Sequence, residues 1–454
     1  MPRISIKSSN RAASSDSNHE SDAERSAISL APPTVTHLFI NNECVMFKSQ
    51  SWSNVLDPVS QRLLCRVPGS TLHEVQRAVQ AVRREHLLKS VDVLRQMSPE
   101  IQGYLFVPRG GQDLADADSE VFRGLDCIHV ACSIGPEMAG MFLGGDATLL
   151  QTFYEPVGVC VSITPFSFPF MIPLWFLQYA LITLPFIQAV SFVGSEPAAR
   201  QVHDLARSAG KRVQAECGGK NHGVVLEDAS TMPTLFAIAG SAFVAADQRC
   251  MALSVAVFVG STRDWIPKLV ELAESMVVGC GGDQESKIGP LIDEDAIKRV
   301  RGVIQRAVQE QAEVLLDGRQ IRGPGYPDGN FLGPTILTGV ETYMECYQSG
   351  MFGQVLIYME VSTLEEAIEL INQNKCELAT HIDGNACSIF TTSGKHANTF
   401  RRGVNVGQIG VNIPLIAPYG TAVRTSNKDS FLGDLSTYWP FFTTTKIVSS
   451  RWEQ

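Results

Sequence analysis

Helical and extended patterns of apolar residues alternate along most of the chain. Apolar residues recur at helical spacing in 72–84, 117–138, 232–246, 265–276, 296–311 and 364–372. Short apolar runs lie between them at 38–40, 63–67, 148–154, 189–193, 223–226, 254–259, 314–316, 387–391, 407–412 and 441–449. Such alternation predicts an α/β fold with a largely parallel sheet.

One long stretch raises the question of a membrane span. Residues 156–195 contain no Asp, Glu, Lys or Arg, which passes a simple hydropathy test for a spanning helix. The same stretch contains five prolines, which interrupt backbone hydrogen bonding where lipid offers no replacement. We therefore interpret it as buried strand and helix of an α/β core.

Composition is that of a soluble globular protein with two or three domains. The chain has 454 residues, of which 44% are apolar and 19% charged. A net charge of −10 without a dense basic block argues against nucleic acid or an anionic membrane as the main partner and favours a small-molecule substrate. The 11 cysteines are scattered without CxxC pairs, which predicts reduced thiols and no zinc site.

The amino terminus supports two interpretations. Residues 1–15 contain Arg3, Lys7 and Arg11, five serines and no acid, a composition weakly typical of a mitochondrial transit peptide. The alternative is a disordered polar tail that continues with mixed charge through residues 17–24.

Cys250 is the candidate nucleophile. It follows the predicted helix 232–246 and precedes the predicted strand 254–259, so we expect it on a loop, beside the positive charge of Arg249. Glu216, 34 positions earlier, is a candidate base. The alternative is a thiol packed in the core, since cysteine is among the most buried residue types.

Motifs around these residues decide between the two readings of Cys250. GGKNHGVV at 218–225 and QRCMALS at 248–254 resemble the aldehyde dehydrogenase superfamily and, within it, the methylmalonate-semialdehyde dehydrogenases. The same pattern recurs in order in THLFIN, LLCRVP, DADSEVFRG, MIPLW and GNFLGPT, so the resemblance covers nearly everything after residue 36.

The resemblance implies a fold and a division into domains. A tail (1–36) precedes an incomplete Rossmann-type NAD-binding domain (37–140 and 156–220) and an α/β catalytic domain (221–435). A β-hairpin oligomerisation arm comprises 141–155 and 436–454, in which strand 148–154 pairs with 441–449. The resemblance also implies that the chain forms a homo-oligomer, which is a tetramer in the family, and that it is located in mitochondria.

The implied chemistry begins with attack of the Cys250 thiolate on an aldehyde. Hydride then passes to NAD, and coenzyme A or water releases the resulting thioester. Arg123 and Arg249 match a pair of arginines that resembles a clamp for the carboxylate of a semialdehyde, a role that suits the guanidinium fork. The alternative for either arginine is a structural ion pair.

Three positions near the implied catalytic centre depart from the family. Ser167 replaces the asparagine whose amide helps to hold the oxyanion, and is either a weak substitute or, as we favour, a polar filler. Glu216 occupies a position where the acylating branch generally lacks an acid, so it is either a base that lets water compete with coenzyme A or a drifted residue. Asp247 replaces a glycine, and both its side chain and its charge beside Cys250 oppose catalysis.

The implied NAD site is more heavily altered. Phe166 and Phe352 match cofactor-binding aromatics, and Gly194 and Ser195 match the loop that cradles the pyrophosphate before a helix. Between residues 186 and 187 more than one βαβ unit of ~30 residues is missing, including the lysine that contacts the adenosine ribose. Gly350 replaces the glutamate that holds the nicotinamide ribose.

Gln354 likewise replaces a proline, so weakened NAD binding is the prediction.

Three hypotheses for the function of the chain follow. The first is NAD-dependent, CoA-acylating oxidation of methylmalonate or malonate semialdehyde. The second is an impaired paralogue or truncated isoform that acts only by assembly with intact subunits. The third is hydrolysis of esters or thioesters by Cys250 and Glu216 without hydride transfer.

Overall fold

A computed structural model describes the parts of the chain used below. These parts are residues 34–36, 38–40, 43–45, 51–70, 114–133, 140–145, 148–174, 187–244, 248–281, 285–373, 383–384, 386–414, 427–428, 431–433 and 439–451. The predicted helix 72–84, the tail before residue 34, Asp247 and the junction of 186 with 187 lie outside them.

The larger sheet has seven strands in the order β13-β14-β15-β12-β11-β17-β18. All neighbouring pairs are parallel except β13 with β14. The strands are β11 (Asn221–Val225), β12 (Leu253–Val259), β13 (Glu313–Leu316), β14 (Thr335–Thr338), β15 (Val355–Val361), β17 (Ala386–Phe390) and β18 (Gln408–Val411).

Helices cover both faces of this sheet, because its strands are apolar on both sides. In β12, Val255 and Val257 point into one core cluster, while Ala256 and Phe258 point into the other. One face carries α3 (Thr231–Phe243) and α4 (Ile266–Glu274), and the other carries α5 (Glu294–Gln309), α6 (Glu345–Gln348), α7 (Leu364–Asn372) and α8 (Gly394–Gly403).

The smaller sheet has four strands in the order β20-β10-β9-β8. β8 (Val159–Ile163), β9 (Ile187–Val193) and β10 (Arg212–Glu216) are parallel, and β20 (Phe431–Gly433) is antiparallel to β10. α2 (Glu196–Ser208) connects β9 to β10, and α1 (Leu114–Ser133) precedes the sheet in sequence. The described part of the uncharged stretch 156–195 thus contributes two strands, β8 and β9, to a sheet.

A separate three-stranded sheet joins the end of the chain to its middle. β21 (Thr443–Ser450) pairs antiparallel with β7 (Thr148–Pro156), which pairs with β6 (Phe142–Gly145). The predicted pairing of 148–154 with 441–449 is therefore confirmed. The remaining strands are β1 (Thr34–Val35), β2 (Leu38–Ile40), β3 (Glu43–Val45), β4 (Trp52–Leu56), β5 (Leu63–Pro68), β16 (Asp383–Gly384) and β19 (Asn427–Lys428).

Several predicted helix boundaries need correction. The helix predicted at 117–138 begins earlier, at Leu114, and the helix predicted at 296–311 extends from Glu294 to Gln309. The helix predicted at 232–246 ends at Phe243, because Val244 takes an extended backbone with ψ of 144°. The helix predicted at 265–276 begins one residue later, at Ile266, after a 3-10 segment (Gly260–Trp265), and ends at Glu274. Short-range apolar spacing continues through both ends and does not encode these changes in backbone.

Candidate active site

Cys250 occupies a β-turn that leads directly into β12. The N–H of Ala252 donates to the carbonyl of Arg249 at 3.1 Å, which places Cys250 at the second position of the turn. The predicted loop between helix and strand is confirmed. Gln248, buried just before the turn, donates through Nε2 to the carbonyl of Pro290 at 3.1 Å and accepts from the N–H of Ile292 at 2.9 Å.

An apolar cluster between the two large sheets receives the Cys250 side chain. Cys250 is half-buried and packs against a cluster that includes Phe168, Val193 and Met251. Val193 ends β9 of the smaller sheet, whereas Met251 precedes β12 of the larger one. The thiol therefore lies where the carboxyl end of one sheet meets the amino end of the other.

Glu216 lies at the same junction. It is the last residue of β10 and pairs in register with Val193 of β9. Its carbonyl accepts a hydrogen bond from the N–H of Gly194 at 3.1 Å. Val193 thus links the two candidates, since its backbone pairs with Glu216 and its side chain belongs to the cluster that contacts Cys250.

The predicted cradle loop leads into a helix, as expected. α2 begins after Gly194 and Ser195, and Ser195 is the N-cap without using its side chain for capping. The first turn of a helix leaves amide groups unused by the helix, which suits a phosphate. Glu196 reduces this advantage with a carboxylate in that turn, although it forms an ion pair with Arg200 at 2.6 Å.

Two cations hold the segment 349–352 through its main chain. Buried Lys220 donates through Nζ to the carbonyls of Cys346 at 2.6 Å and Ser349 at 2.9 Å. Arg299 donates to the carbonyls of Met351 and Phe352, the latter at 3.4 Å. Desolvation lowers the pKa of Arg299 from its usual value. The segment is therefore fixed independently of its own side chains.

This segment brings Phe352 against Phe166. Their ring centroids are 6.1 Å apart with planes at 89°, an edge-to-face contact. Phe352 has a φ of +46°, a left-handed conformation that is strained for a bulky residue. Gln354 is fully buried, with Nε2 donating to the carbonyl of Gly289 at 3.4 Å and Oε1 unpaired among the described residues.

A buried carboxylate positions the segment that carries Ser167. Glu120 of α1 accepts hydrogen bonds from the N–H groups of Phe170 at 2.7 Å and Met171 at 3.0 Å. Arg123 lies three residues further along the same helix and is half-buried. Ser167, also half-buried, precedes these amides by three residues, so α1 connects the arginine to the Ser167 segment.

Several predicted site residues are thus brought together. The junction of the two sheets brings Cys250, Glu216 and Gly194 close through Val193, and Arg249 lies within the Cys250 turn. Phe166 and Phe352 contact each other. Sequence patterns did not single out Lys220, Glu120 or Arg299, because charged residues are normally exposed and nothing local marks a buried one.

Other kinds of site receive no support from the described parts of the chain. The described cysteines, at 65, 127, 160, 217, 250, 280, 346 and 387, are free thiols. No cluster of three or more His, Cys, Asp or Glu side chains suited to a metal ion occurs among the described residues. Within the same residues, no helix is long and apolar enough to cross a membrane.

Comparison with known proteins accounts for this arrangement. The sequence profile of the aldehyde dehydrogenase family matches residues 46–184 and 177–448. The chain belongs to the aldehyde dehydrogenase family. The predictions that the chain has the α/β fold of this family and is one of its enzymes are therefore confirmed.

Among curated proteins, the chain is similar to methylmalonate-semialdehyde dehydrogenases. The acylating mitochondrial methylmalonate-semialdehyde dehydrogenase of Arabidopsis thaliana is 36% identical over 498 residues, covering 95% of this chain and 81% of the relative. The acylating mitochondrial methylmalonate-semialdehyde/malonate-semialdehyde dehydrogenase of Rattus norvegicus is 36% identical, covering 94% and 91%. The first alignment is longer than this chain of 454 residues, so the relative carries residues without a counterpart here.

A solved structure with bound cofactor is also similar. A Sinorhizobium meliloti protein, assigned as a methylmalonate-semialdehyde dehydrogenase and complexed with NAD, superposes with a TM-score of 0.86. It is 27% identical, and the match covers 93% of this chain and 99% of that one.

The described residues fit NAD at two points and lack a partner at a third. The start of α2 offers amides, and Phe166 and Phe352 offer aromatic surface. Gly350 has no side chain to accept ribose hydroxyls, and a Cβ built there lies 3.9 Å from the carbonyl oxygen of Gly219, its nearest neighbour.

Proposed function

We propose that this enzyme oxidises methylmalonate or malonate semialdehyde, with NAD as hydride acceptor and coenzyme A as acyl acceptor. The products would be propionyl-CoA or acetyl-CoA, with loss of the substrate carboxylate as carbon dioxide. The observation that carries the proposal is the Cys250 turn at the junction of the two sheets, flanked by Arg249 and facing the Phe168 cluster. The activity named for the relatives supports the choice of substrate.

Substrate binding is assigned to the two arginines. Arg249 lies in the turn beside the nucleophile, and Arg123 lies on α1, which also holds the Ser167 segment. Two guanidinium groups suit a carboxylate because each can donate a pair of parallel hydrogen bonds. Holding the carboxylate orients the aldehyde carbon toward Cys250.

Bond formation is assigned to Cys250. Its thiolate adds to the aldehyde carbon, and the backbone N–H of Cys250 stabilises the oxyanion, whereas Ser167 stays a polar filler in place of the family's asparagine. NAD, when bound, would supply the hydride acceptor, and departure of the hydride leaves a malonyl or methylmalonyl thioester on Cys250. Loss of the carboxylate as carbon dioxide, with a proton taken up at the α carbon, converts it to the acetyl or propionyl thioester. Transfer of this acyl group to the thiol of coenzyme A then regenerates the free cysteine.

NAD binding is proposed to be weak. Gly350 lacks the carboxylate that the family uses for the nicotinamide ribose, and buried hydroxyl groups left unpaired cost about 1–3 kcal/mol each. The proposed deletion at 186/187 adds to this loss. The overlap of the two profile matches at residues 177–184 supports that location, and the length of the alignment with the Arabidopsis relative supports the existence of missing residues.

Location and assembly are proposed from the relatives. The named relatives are mitochondrial, which favours the transit-peptide interpretation of residues 1–15. The sheet of β6, β7 and β21 exposes Phe142, Phe153 and Ile447, which supports its proposed role as the arm of a homo-oligomer.

Steady-state kinetics of the purified full chain tests the proposal. NADH formation is followed with malonate semialdehyde, NAD and coenzyme A, and acetyl-CoA is measured by mass spectrometry. We expect activity at high NAD concentration that is lost in Cys250→Ser. Acyl-CoA formation by the Cys250→Ser variant would contradict the proposal. So would a natural protein that forms no acyl-CoA at saturating NAD.

A second candidate function is the impaired paralogue or isoform that acts only in assembly with intact subunits. The missing carboxylate at Gly350 favours it. Calorimetric titration with NAD decides between the two, because a paralogue without cofactor binding shows no heat of binding at any concentration.

The hydrolytic alternative rests on the position of Glu216 at the end of β10, next to the residue that packs with Cys250. Release of p-nitrophenol from p-nitrophenyl acetate is measured without NAD. Hydrolysis that is lost in both Cys250→Ser and Glu216→Gln would support this activity, whereas loss in Cys250→Ser alone would remove Glu216 as the base.

A further inference from the structure

Asn221 makes an unusual pair of contacts with the Cys250 turn. Its Nδ2 donates to the carbonyl of Cys250 at 3.0 Å and to the carbonyl of Ala252 at 2.7 Å. These two carbonyls flank Met251 and form the exit of the turn into β12. A single side chain therefore fixes the first and the third of the three peptide planes that lead from Cys250 into β12.

The backbone is shaped to deliver this side chain. Asn221 pairs with Leu253, while the next residue, His222, pairs with Val255, so Ser254 is an extra residue in β12. Such a bulge bends the strand and re-aims side chains, and bulges are common beside active sites. Asn221 is also almost fully buried, which leaves it no solvent partner.

The orientation of the amide shows which contacts matter. Nδ2 has two acceptors, whereas Oδ1 is buried and has no hydrogen-bond partner among the described residues. Turning the amide over would place Oδ1 against two carbonyl oxygens, which repel it. In the observed orientation Oδ1 of Asn221 is unpaired among the described residues, whereas both N–H groups of Nδ2 donate to the turn.

We propose that Asn221 is a positioning residue that holds the Cys250 turn in its reactive geometry. The hydrogen bond of the turn itself joins the N–H of Ala252 to the carbonyl of Arg249. Holding the carbonyls of Cys250 and Ala252 in addition fixes the direction of the Cys250 side chain, which preorganises the thiol for attack. This role deepens the function proposed above and rests on Cys250 as its nucleophile.

Alkylation of Cys250 tests this role without NAD, coenzyme A or aldehyde. The full-length protein is treated with iodoacetamide and digested with trypsin, which cleaves after Arg249 and Arg263 and isolates Cys250 in peptide 250–263. Cys280, in peptide 269–287, is the internal reference. The variants are Asn221→Ala, which removes both donors, and Asn221→Asp, which places a carboxylate against the two carbonyls.

A matched control comes from the opposite end of the same sheet. Asn412, which follows β18, donates through Nδ2 to the carbonyl of Thr391 at 2.8 Å. Asn412→Asp makes the same chemical change to an amide that also bonds a carbonyl, but away from the Cys250 turn. We expect it to leave the alkylation of Cys250 unchanged.

The expected result has a pH signature. Near neutral pH, both Asn221 variants slow alkylation of Cys250 about tenfold relative to the natural protein, with Cys280 unchanged. A carboxyl group buried against two carbonyls has its pKa raised, and only its protonated form donates a hydrogen bond. The rate of Asn221→Asp relative to the natural protein therefore recovers as pH falls toward about 5, whereas that of Asn221→Ala does not.

Several outcomes overturn the proposal. One is a rate of Cys250 alkylation within about twofold of the natural protein in both variants. Another is a ratio of the Asn221→Asp rate to the natural rate that does not change with pH. A third is faster alkylation of both Cys250 and Cys280, which indicates that the variant is loosened as a whole. If Asn221→Asp does not fold, Asn221→Ala carries the test by its rate alone. Slowed alkylation in a protein without dehydrogenase activity would uphold the positioning role and refute only the proposed function.

Discussion

Restoring a carboxylate at position 350 should strengthen NAD binding. In Gly350→Glu, the new Cβ meets nothing closer than the carbonyl oxygen of Gly219 at 3.9 Å, and Gly350 does not have a left-handed backbone. Lys220 and Arg299 hold the neighbouring carbonyls of the segment, so its position does not depend on the side chain at 350. The variant therefore adds an acceptor to an already ordered segment.

The size of the gain follows from hydrogen bonds to a charged group. Such bonds contribute about 1.5–3 kcal/mol, and ordering a glutamate side chain costs roughly 1–2 kcal/mol. Two ribose hydroxyls bonded to one carboxylate therefore leave a net gain of about 1–5 kcal/mol, or a Kd for NAD that is lower by at least about fivefold.

Isothermal titration calorimetry with NAD measures this change. Gly394→Glu is the matched control, because Gly394 is exposed at the start of α8, has no neighbour within 4 Å of a built Cβ and receives the same charge. We expect the Kd to fall in Gly350→Glu only. An equal Kd in both variants and the natural protein would refute the reasoning that a missing ribose acceptor limits NAD binding.

Three further predictions concern the chemistry and one thiol. Ser167→Asn should raise kcat by roughly 10²-fold with little change in KM, measured as NADH formation, because an amide restores an oxyanion donor. Arg123→Lys should raise the KM for malonate semialdehyde about tenfold but leave the KM for propanal unchanged, since only the former carries a carboxylate. Desolvation raises the pKa of Cys160 to about 11, so its alkylation, followed by peptide mass spectrometry, should rise about tenfold per pH unit between pH 8 and 10. A rate that levels off above about pH 9, as for a thiol with the usual pKa, would contradict the raised pKa.

The sequence was most informative where local pattern decides structure. Strand Leu253–Val259 and helix Leu364–Asn372 lie within a residue of the predicted bounds, because apolar spacing and capping by Thr363 act over short distances. Strand Val355–Val361 was not predicted, although it lies at the centre of the larger sheet. A short apolar run is ambiguous between strand and helix, and its position between β14 and β12 depends on contacts distant in sequence.

The candidate site shows the same limit more sharply. Family motifs indicated Cys250, Arg249 and Arg123, whereas the residues that hold the site in place had no signal of their own. Glu120 is an acid on a helix, which a pattern assigns to solvent, yet it accepts two main-chain N–H groups in the core. Its role depends on α1 packing against residues 170–174, as the close approach of Gly124 to Phe170 and Leu174 shows.

These supporting contacts explain how the site can keep its shape while its ligand-binding side chains change. Lys220, Arg299, Glu120 and Asn221 all bond to main-chain groups, which every residue type except proline supplies in full. Substitutions at the supported positions therefore alter chemistry without removing the bonds that hold the backbone. A proline at position 354 would lose the side-chain hydrogen bond from Gln354 to the carbonyl of Gly289. It would keep the main-chain bond from the N–H of Thr335, because the acceptor there is the carbonyl of residue 354. We therefore expect weakened cofactor binding in an ordered site, and we expect substitutions that restore the family side chains to act additively only where the restored side chains share no contact.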